Sequence, residues 1–443
     1  MRRSIQIMRA LILILLLSPL GTTAAEEPSI VHLTLAEAVR LALQANPQVQ
    51  NANLTVAERQ EDIRVARSGL LPQATLKVSD SAERINLGSS FGKALPIFPH
   101  HVGPFQVFEA GPEFSTPVFD LTLWRNVQAS RASRDASRHD EQSLREQTTL
   151  LVVSQYLAAL RAAEQVRTVQ SRVDLALALA DQAQQLEENG IGTNLDTVRA
   201  KVELQNARQA LLVAQADSQK ALYGLARLLD LDPRQQIQLA DQSYFSATPE
   251  FPGDAGISSA LANRPELQSL LSQEAAARMQ QKAARDERLP SLGVGGTWAY
   301  QGTSLSSSIP TYVVAATLSV PLWTSGRISA EEAKASLEVR ELANQRRAQR
   351  DAIVEEVKSA TADLTSGRSQ VEVARSGLAL ADQELGQARE RFAAGIANNI
   401  ELITAQDSLA RAHDNLIDAL YRYNLAHAQL AHATGQMESL YAK

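Results

Sequence analysis

The sequence describes a mainly α-helical protein with a membrane-inserted β part, built as two tandem repeats. Three features carry that reading. The first is an apolar repeat of seven residues: Val357, Leu364, Val371, Leu378, Leu385 and Phe392 before a turn, then Leu402, Leu409, Leu416, Tyr423 and Leu430 after it. Three positions beyond each of these stands Ala or Gly, from Ala360 and Gly367 to Ala426 and Ala433. Such a repeat keeps one helix seam against a neighbour, and small residues at alternate seam positions let two helices approach closely. The second feature is a change of period: short segments alternate apolar and polar residues, as half-buried strands do. The third is recurrence, because the same order of short helices, strand pair and long helical hairpin is met twice.

Composition agrees. The 443 residues include no Cys, 5% aromatics and 44% hydrophobics. Apolar content is too high for a disordered chain, and few aromatics suit long helices packed through Ala and Leu. Arg2, Arg3 and Arg9, the apolar run Leu11 to Leu17 and Thr23-Ala24-Ala25 read as a secretory signal over residues 1–25, leaving a mature start at Glu26. Seven apolar residues are too few for a membrane anchor. The absence of Cys excludes structural disulfides and a lipid-bearing cysteine. Without the leader's three arginines the net charge falls from −6 to about −9, which disfavours nucleic acid as a partner. No later stretch offers the roughly 18 apolar residues of a transmembrane helix, so any membrane insertion has to use β-structure.

In chain order, Leu33 to Leu43 reads as a helix capped by Thr34 with Glu37 three residues on. Asn46-Pro47 breaks it, and a second helix runs to Ser68. Ala74, Leu76 and Val78 alternate with Thr75, Lys77 and Ser79; a return strand carries Phe108, Ala110 and Phe114 and is closed by Pro117. A long helix follows from about Leu123 to Glu188, turns at Asn189–Asn194, and returns to Leu229. The stretch from Pro233 to Gly256 reads as a connecting segment. The order then starts again, with helices to Arg288, strands around Leu292–Tyr300 and Tyr312–Val320, and the long hairpin described first. The expected organisation is residues 1–25 as signal, 26–256 as a first repeat (β-hairpin about 73–117, tip near 190) and 257–443 as a second (β-hairpin about 291–321, tip near 395). At the tips Gly190, Ile191, Asn194, Leu195 and Asp196 match Gly395, Ile396, Asn399, Ile400 and Glu401.

Each repeat supplies two strands, so one chain has four. A four-stranded sheet with an apolar outer face has unpaired edges in lipid, so several chains must pool strands. Eight strands leave an interior filled by side chains, so a passage needs three or more chains. Trp124, Trp298 and Trp323 lie in or beside the hairpins, where aromatics suit the membrane–water boundary.

Leu43-Gln44-Ala45-Asn46-Pro47, Ala262-Asn263-Arg264-Pro265-Glu266-Leu267, Leu289-Pro290-Ser291-Leu292, Val320-Pro321-Leu322-Trp323-Thr324-Ser325-Gly326-Arg327 and the two tips with Ala405-Gln406 together resemble the TolC-like outer-membrane efflux proteins. The resemblance covers the whole mature chain. It implies a homotrimer with a 12-stranded β-barrel in the outer membrane and a trimeric α-barrel of twelve helices reaching into the periplasm. It implies two partners, a periplasmic adaptor (membrane fusion) protein and an inner-membrane pump of the resistance-nodulation-division type. The adaptor would dock on Gly190, Ile191, Asn194, Gly395, Ile396 and Asn399, with Glu401 and Asp196 at the pore constriction. For both acids the alternative is a favourable charge in the first turn of a helix. Phe392 fits an aromatic that the family often places three residues before the tip Gly, whereas Glu187 stands at the matching place. The short tail after Gly435 implies a minimal C-terminal part of the belt around the tunnel.

The expected function is an exit duct for small-molecule efflux. Type I protein secretion and metal-ion efflux are alternatives, and a non-conducting envelope rod is disfavoured by the β-hairpins. No catalytic motif, cofactor loop or metal-ligand spacing stands out. His427 and His432 lie five apart and read as solvated, Arg346-Arg347 as an exposed helix face, and His100-His101 as part of an outer loop.

Overall fold

Long helices survive only if their apolar stripe is covered along its length, and the seam residues provide that cover. The computed structural model describes residues 30–86, 101–232, 234–241, 253–394, 396 and 399–442. The chain begins β1 (Ile30–Leu33), α1 (Leu35–Ala45), α2 (Pro47–Ser68), β2 (Gln73–Asn86), β3 (His101–Phe119), α3 (Leu121–Glu188), α4 (Asn194–Leu228) and β4 (Gln236–Leu239). It continues α5 (Gly253–Asn263), α6 (Pro265–Asp286), β5 (Ser291–Gly302), β6 (Ile309–Ser319), α7 (Arg327–Ala393), α8 (Asn399–Ala433) and a short α9 (Met437–Tyr441).

Helices α3 and α7 have 68 and 67 residues, roughly 100 Å each at about 1.5 Å per residue. Their return helices α4 and α8 have 35 residues apiece and cover about half of that length. The 22-residue helices α2 and α6 cover about a third of it, on the other side of the midpoint. Helix α3 packs against α2, α4, α6 and α8, and α7 against α6 and α8. The helices therefore stand in one row: α2 stacked on α4, then α3, then α6 stacked on α8, then α7. In the second hairpin Val357, Val371 and Leu385 are buried against Leu402, Tyr423 and Leu430. A Cβ at Gly367 would sit 3.2 Å from Cα of Tyr423, so the small seam residues are set by backbone approach. In the first hairpin Ala176, Ala180 and Ala183 meet Ala200, Leu204 and Ala207.

Halfway along α3 the short elements gather into a core of Val39, Ala42, Val152, Val153, Tyr156, Leu225, Leu229 and Met437. Thr34 and Glu37 form the expected capping box at α1. Strands β1 and β4 pair in parallel beside this core; the sequence reading missed both, and β4 falls in the stretch read as a connection. Asp241, just beyond β4, accepts the Leu35 N–H at 2.7 Å and lies 2.7 Å from the Tyr156 hydroxyl. Burial, with the Asp241 carboxylate beside it, pushes the Tyr156 phenol up, so it remains a donor.

The remaining strands form one antiparallel sheet in the order β2-β3-β5-β6. Strand β3 does not stop at Pro117 but runs to Phe119, with a register irregularity between those two residues. A proline lacks the N–H that a ladder needs, and an irregular register is where a strand tolerates it. Among the described residues no helix is long and apolar enough to cross a membrane.

Candidate functional site

Residues paired across strands share a face of the sheet. One face is built by Leu76 opposite Pro112, Val78 opposite Ala110, Ala110 opposite Tyr300, Trp298 opposite Tyr312 and Leu292 opposite Leu318. The other joins Thr75 with Glu113, Ser79 with Glu109, Glu109 with Gln301 and Glu113 with Thr297, and Lys77 lies on it between Thr75 and Ser79. The sheet is thus apolar on one side and polar on the other. On the apolar side Leu76 and Tyr312 keep 76% and 78% of their surface exposed, an open apolar face that water does not tolerate over such an area. The Phe114 ring lies over Gly296, where a Cβ would meet the ring and the Val313 carbonyl. Trp298 sits within β5, while Trp124 in the first turn of α3 and Trp323 before α7 mark the end of the sheet nearest the helices. All three are more than half exposed, Trp323 at 87%.

At the opposite end, Gly190 has φ +73°. The Ile191 N–H donates to the Leu186 carbonyl and the Gly190 N–H to the Glu187 carbonyl, both at 2.9 Å, the paired bonds that close a helix on a left-handed residue. Nothing stands within 4 Å of a Cβ built on Gly190, so glycine is required there for its backbone angle. Gly395 lies outside the described residues, but the Ile396 N–H donates to the Arg391 carbonyl at 2.9 Å, the same bond as at Ile191. Asn194 and Asn399 open the return helices, and Asn194 Nδ2 donates to Glu187 at 2.9 Å. Glu187, at the place of the expected aromatic, therefore ties the first tip; hydrogen bonds from Thr197 and Asn194 hold its carboxyl below the usual range. Ile191 and Ile396 are 78% and 71% exposed, and Leu195 and Ile400 are also exposed. The sequence reading matched Leu195 with Ile400 but did not single them out; their position one turn after each apolar tip residue was the available signal.

The two acids at the expected constriction are both engaged locally. The Thr193 hydroxyl donates to Asp196 at 2.6 Å, and Glu401 pairs with Arg391 across the second tip at 2.9 Å. Higher up, Arg172 of α3 bridges Glu203 of α4 at 2.7 Å and Asp407 of α8 at 3.1 Å. Gln165–Asp414 at 2.8 Å and Arg161–Asp418 at 2.7 Å continue that ladder between the hairpins.

Three expectations need correction or limit. His432 is buried, at 9% exposure, and His427 is half-buried with Nδ1 2.8 Å from the Tyr441 hydroxyl; neither is solvated, because α9 and its neighbours enclose the end of α8. Desolvation pushes the His427 imidazole down. Arg346 is not a free surface charge, since it pairs with the buried Glu274 at 3.1 Å. His101 is exposed in β3 opposite Asn86, and His100 and the signal segment lie outside the described residues. Among the described residues no group of three or more His, Cys, Asp or Glu stands together as a metal site.

The sequence profile of the outer membrane efflux protein family matches residues 38–230 and 256–436. The outer membrane efflux protein BepC of Brucella suis biovar 1 is 24% identical over 422 residues, covering 91% of this chain and 86% of that protein. The alkaline protease secretion protein AprF of Pseudomonas aeruginosa is 28% identical over 347 residues, covering 73% of this chain and 68% of that protein. In fold, the chain is similar to the CmeC outer membrane channel of Campylobacter jejuni, with a TM-score of 0.79, 18% identity, and coverage of 91% and 85% of the two chains.

Proposed function

The chain belongs to the outer membrane efflux protein family and is an outer-membrane efflux channel; from that premise we propose that three copies close into the exit duct of a tripartite export system. One observation carries the proposal. The sheet order leaves β2 and β6 at its two edges, and the helix row leaves the α2/α4 column and α7 at the same two edges. Both layers therefore end on the same sides, so one copy's β6 and α7 can meet the next copy's β2 and α2/α4. Leu54 and Val65 on α2, and Val373 and Leu380 on α7, are each at least 64% exposed on these edge helices. Three copies would pool twelve strands, enough for an open lumen where eight would be filled.

In that assembly the apolar sheet face turns to lipid and the polar face to the lumen. Trp298 lies seven residues into β5 beyond Ser291, about 24 Å along the strand at roughly 3.4 Å per residue, so the Trp298 and the Trp124–Trp323 levels stand at two different depths of the membrane, as aromatic girdles do. The exposed Ile191, Leu195, Ile396 and Ile400 form the apolar landing for a periplasmic adaptor, with an inner-membrane pump of the resistance-nodulation-division type behind it. Gly190, Gly395, Asn194 and Asn399 shape these turns. Glu401 and Asp196, repeated about the threefold axis, would ring the narrow end with carboxylates. The likeness to AprF supports a second reading, in which the duct passes secreted protein.

Native mass spectrometry of the detergent-extracted protein tests the assembly. A trimer is expected, and a stable monomer or dimer overturns it. Identification of the adaptor and pump recovered with the protein from cross-linked cells separates the two readings of cargo.

A further inference from the structure

Where α6 stacks on α8, five elements meet around one imidazole. His432, in the last turn of α8, sets its Nδ1 3.1 Å from Glu356 Oε1 of α7. Arg264, which precedes α6 and is 4% exposed, donates to the His432 carbonyl at 3.1 Å. The same guanidinium pairs with Glu356 at 3.0 Å and with Glu266 at 3.0 Å, and Ser143 of α3 donates to Glu266 at 2.9 Å. Glu146 of α3 faces the cluster while accepting the N–H groups of Met437 (2.9 Å) and Glu438 (3.3 Å) from α9. Arg145 beside it is held by Glu438 and Glu141. His432 Nε2 is sealed from solvent and has no hydrogen-bond partner among the described residues.

We propose that this joint is a proton-responsive hinge, in which protonation of His432 loosens the end of α8 from α3 and α7. The argument is one of unmatched donors. In the neutral ring Nδ1–H donates to Glu356, and the sealed Nε2 is only a weak acceptor left over. In the imidazolium Nδ1–H keeps Glu356, but Nε2–H becomes a second, charge-bearing donor with nothing to accept it, and a buried donor left unpaired costs more than the spare lone pair of the neutral ring. Relief requires the last turn of α8 to move until Nε2 reaches water or the Glu146 carboxylate. Burial pushes the Glu356 carboxyl up, but His432 and Arg264 outweigh it and hold it below the usual range, which favours the ionised carboxylate. Burial pushes Glu146 up, against the two backbone N–H groups it accepts.

The joint between α2 and α4 is an internal control. There Asn46 Nδ2 donates to the Leu228 carbonyl at 2.9 Å, and an amide does not titrate. The test is hydrogen exchange by mass spectrometry on the full-length protein in detergent, across the range where imidazoles titrate, about pH 5 to 8. After correction for intrinsic rates, peptides covering 353–360 and 426–434 should exchange at least fivefold faster at the acid end, while those covering 222–229 do not change. His432→Gln should abolish the difference. Glu146→Gln, which leaves His432 in place, should move the midpoint to lower pH. The hinge is overturned if His432→Gln keeps the native pH dependence, or if 222–229 responds equally. Should His432→Gln not fold, an unmoved midpoint in Glu146→Gln overturns it alone. The readout requires neither conduction nor an adaptor, so it stands or falls separately from the proposed duct.

Discussion

The two helix joints solve one problem with different chemistry. In each, an upper helix starts on a proline, Pro47 or Pro265, which removes one unsatisfied N–H from the first turn. In each, the residue before that proline reaches down to a carbonyl in the last turn of the lower helix: Asn46 to Leu228, Arg264 to His432. Asn46 also caps its own helix, with Oδ1 accepting the Gln48 N–H at 2.9 Å. Arg264 makes no cap bond and spends its donors on Glu266 and Glu356 instead. The difference follows from place in the row. The α2/α4 column stands at an edge with only α3 beside it, so a short amide suffices. The α6/α8 column stands between α3 and α7, and a long guanidinium can tie both flanks. A charged joint links more elements, and it fails harder when a partner is removed.

The largest expected effect follows directly. Arg264→Leu takes the guanidinium from two half-buried carboxylates, Glu266 and Glu356, and should cost about 3 kcal/mol, whereas Asn46→Ala should cost about 1 kcal/mol. Denaturant unfolding of the two variants in detergent measures both, and equal losses would erase the distinction between the joints. A smaller contrast lies in the residues that end the lower helices. Gly435 has φ +69° and Asp230 has φ 54°. Gly435→Ala should destabilise by about 1 kcal/mol, because Cβ disfavours that region. Asp230→Gly should stay within about 0.5 kcal/mol, since relief of backbone strain is offset by the freedom glycine adds to the unfolded chain. Thermal unfolding of the pair decides this, and a loss at Asp230 as large as at Gly435 would show that Asp230 holds more than a turn. The smallest effect is on pH dependence. Glu356 has a lowered carboxyl in the folded state, so its contribution is present above the ordinary carboxylate value and is lost as pH falls through the lowered one. Glu356→Gln should therefore flatten the acid limb of the Tm–pH curve, and Asn46→Ala should leave that limb's shape alone. An unchanged limb in Glu356→Gln removes Glu356 from the acid response.

The helical rows were legible because their contacts are local in pattern. Val357, Val371 and Leu385 announce a seam every seven residues, and all are buried. The alternation around Leu76 and Tyr312 gave the two faces of the sheet for the same reason. The joints were not legible, because their bonds join residues 182 and 168 positions apart, and no period in a single sequence encodes such a pair. Strands β1 and β4 escaped likewise, being four residues each and paired only with one another. His432 was misread because its spacing from His427 drew attention to metal-ligand geometry. A better signal was available: residues 423–437 contain no Asp, Glu, Lys or Arg, and a helix without charge on any face is enclosed. At Glu401 the sequence placed the acid correctly in a first turn, but only coordinates show that Arg391 holds it.

The bonds from Met437 and Glu438 to Glu146 span 291 and 292 residues, and they impose an order of events on a chain that emerges from its N-terminal side. The first hairpin can zip as soon as residue 228 is free, because α3 and α4 are neighbours in sequence. The middle of α3 cannot. Glu146 waits, partly desolvated and without its donors, until nearly three hundred further residues have arrived. Loop closure over that distance is slow. The waist of the molecule is therefore the last part of the monomer to be completed. A chaperone that shields the chain in transit would have most to protect at α3 residues 143–156, whose final cover comes last.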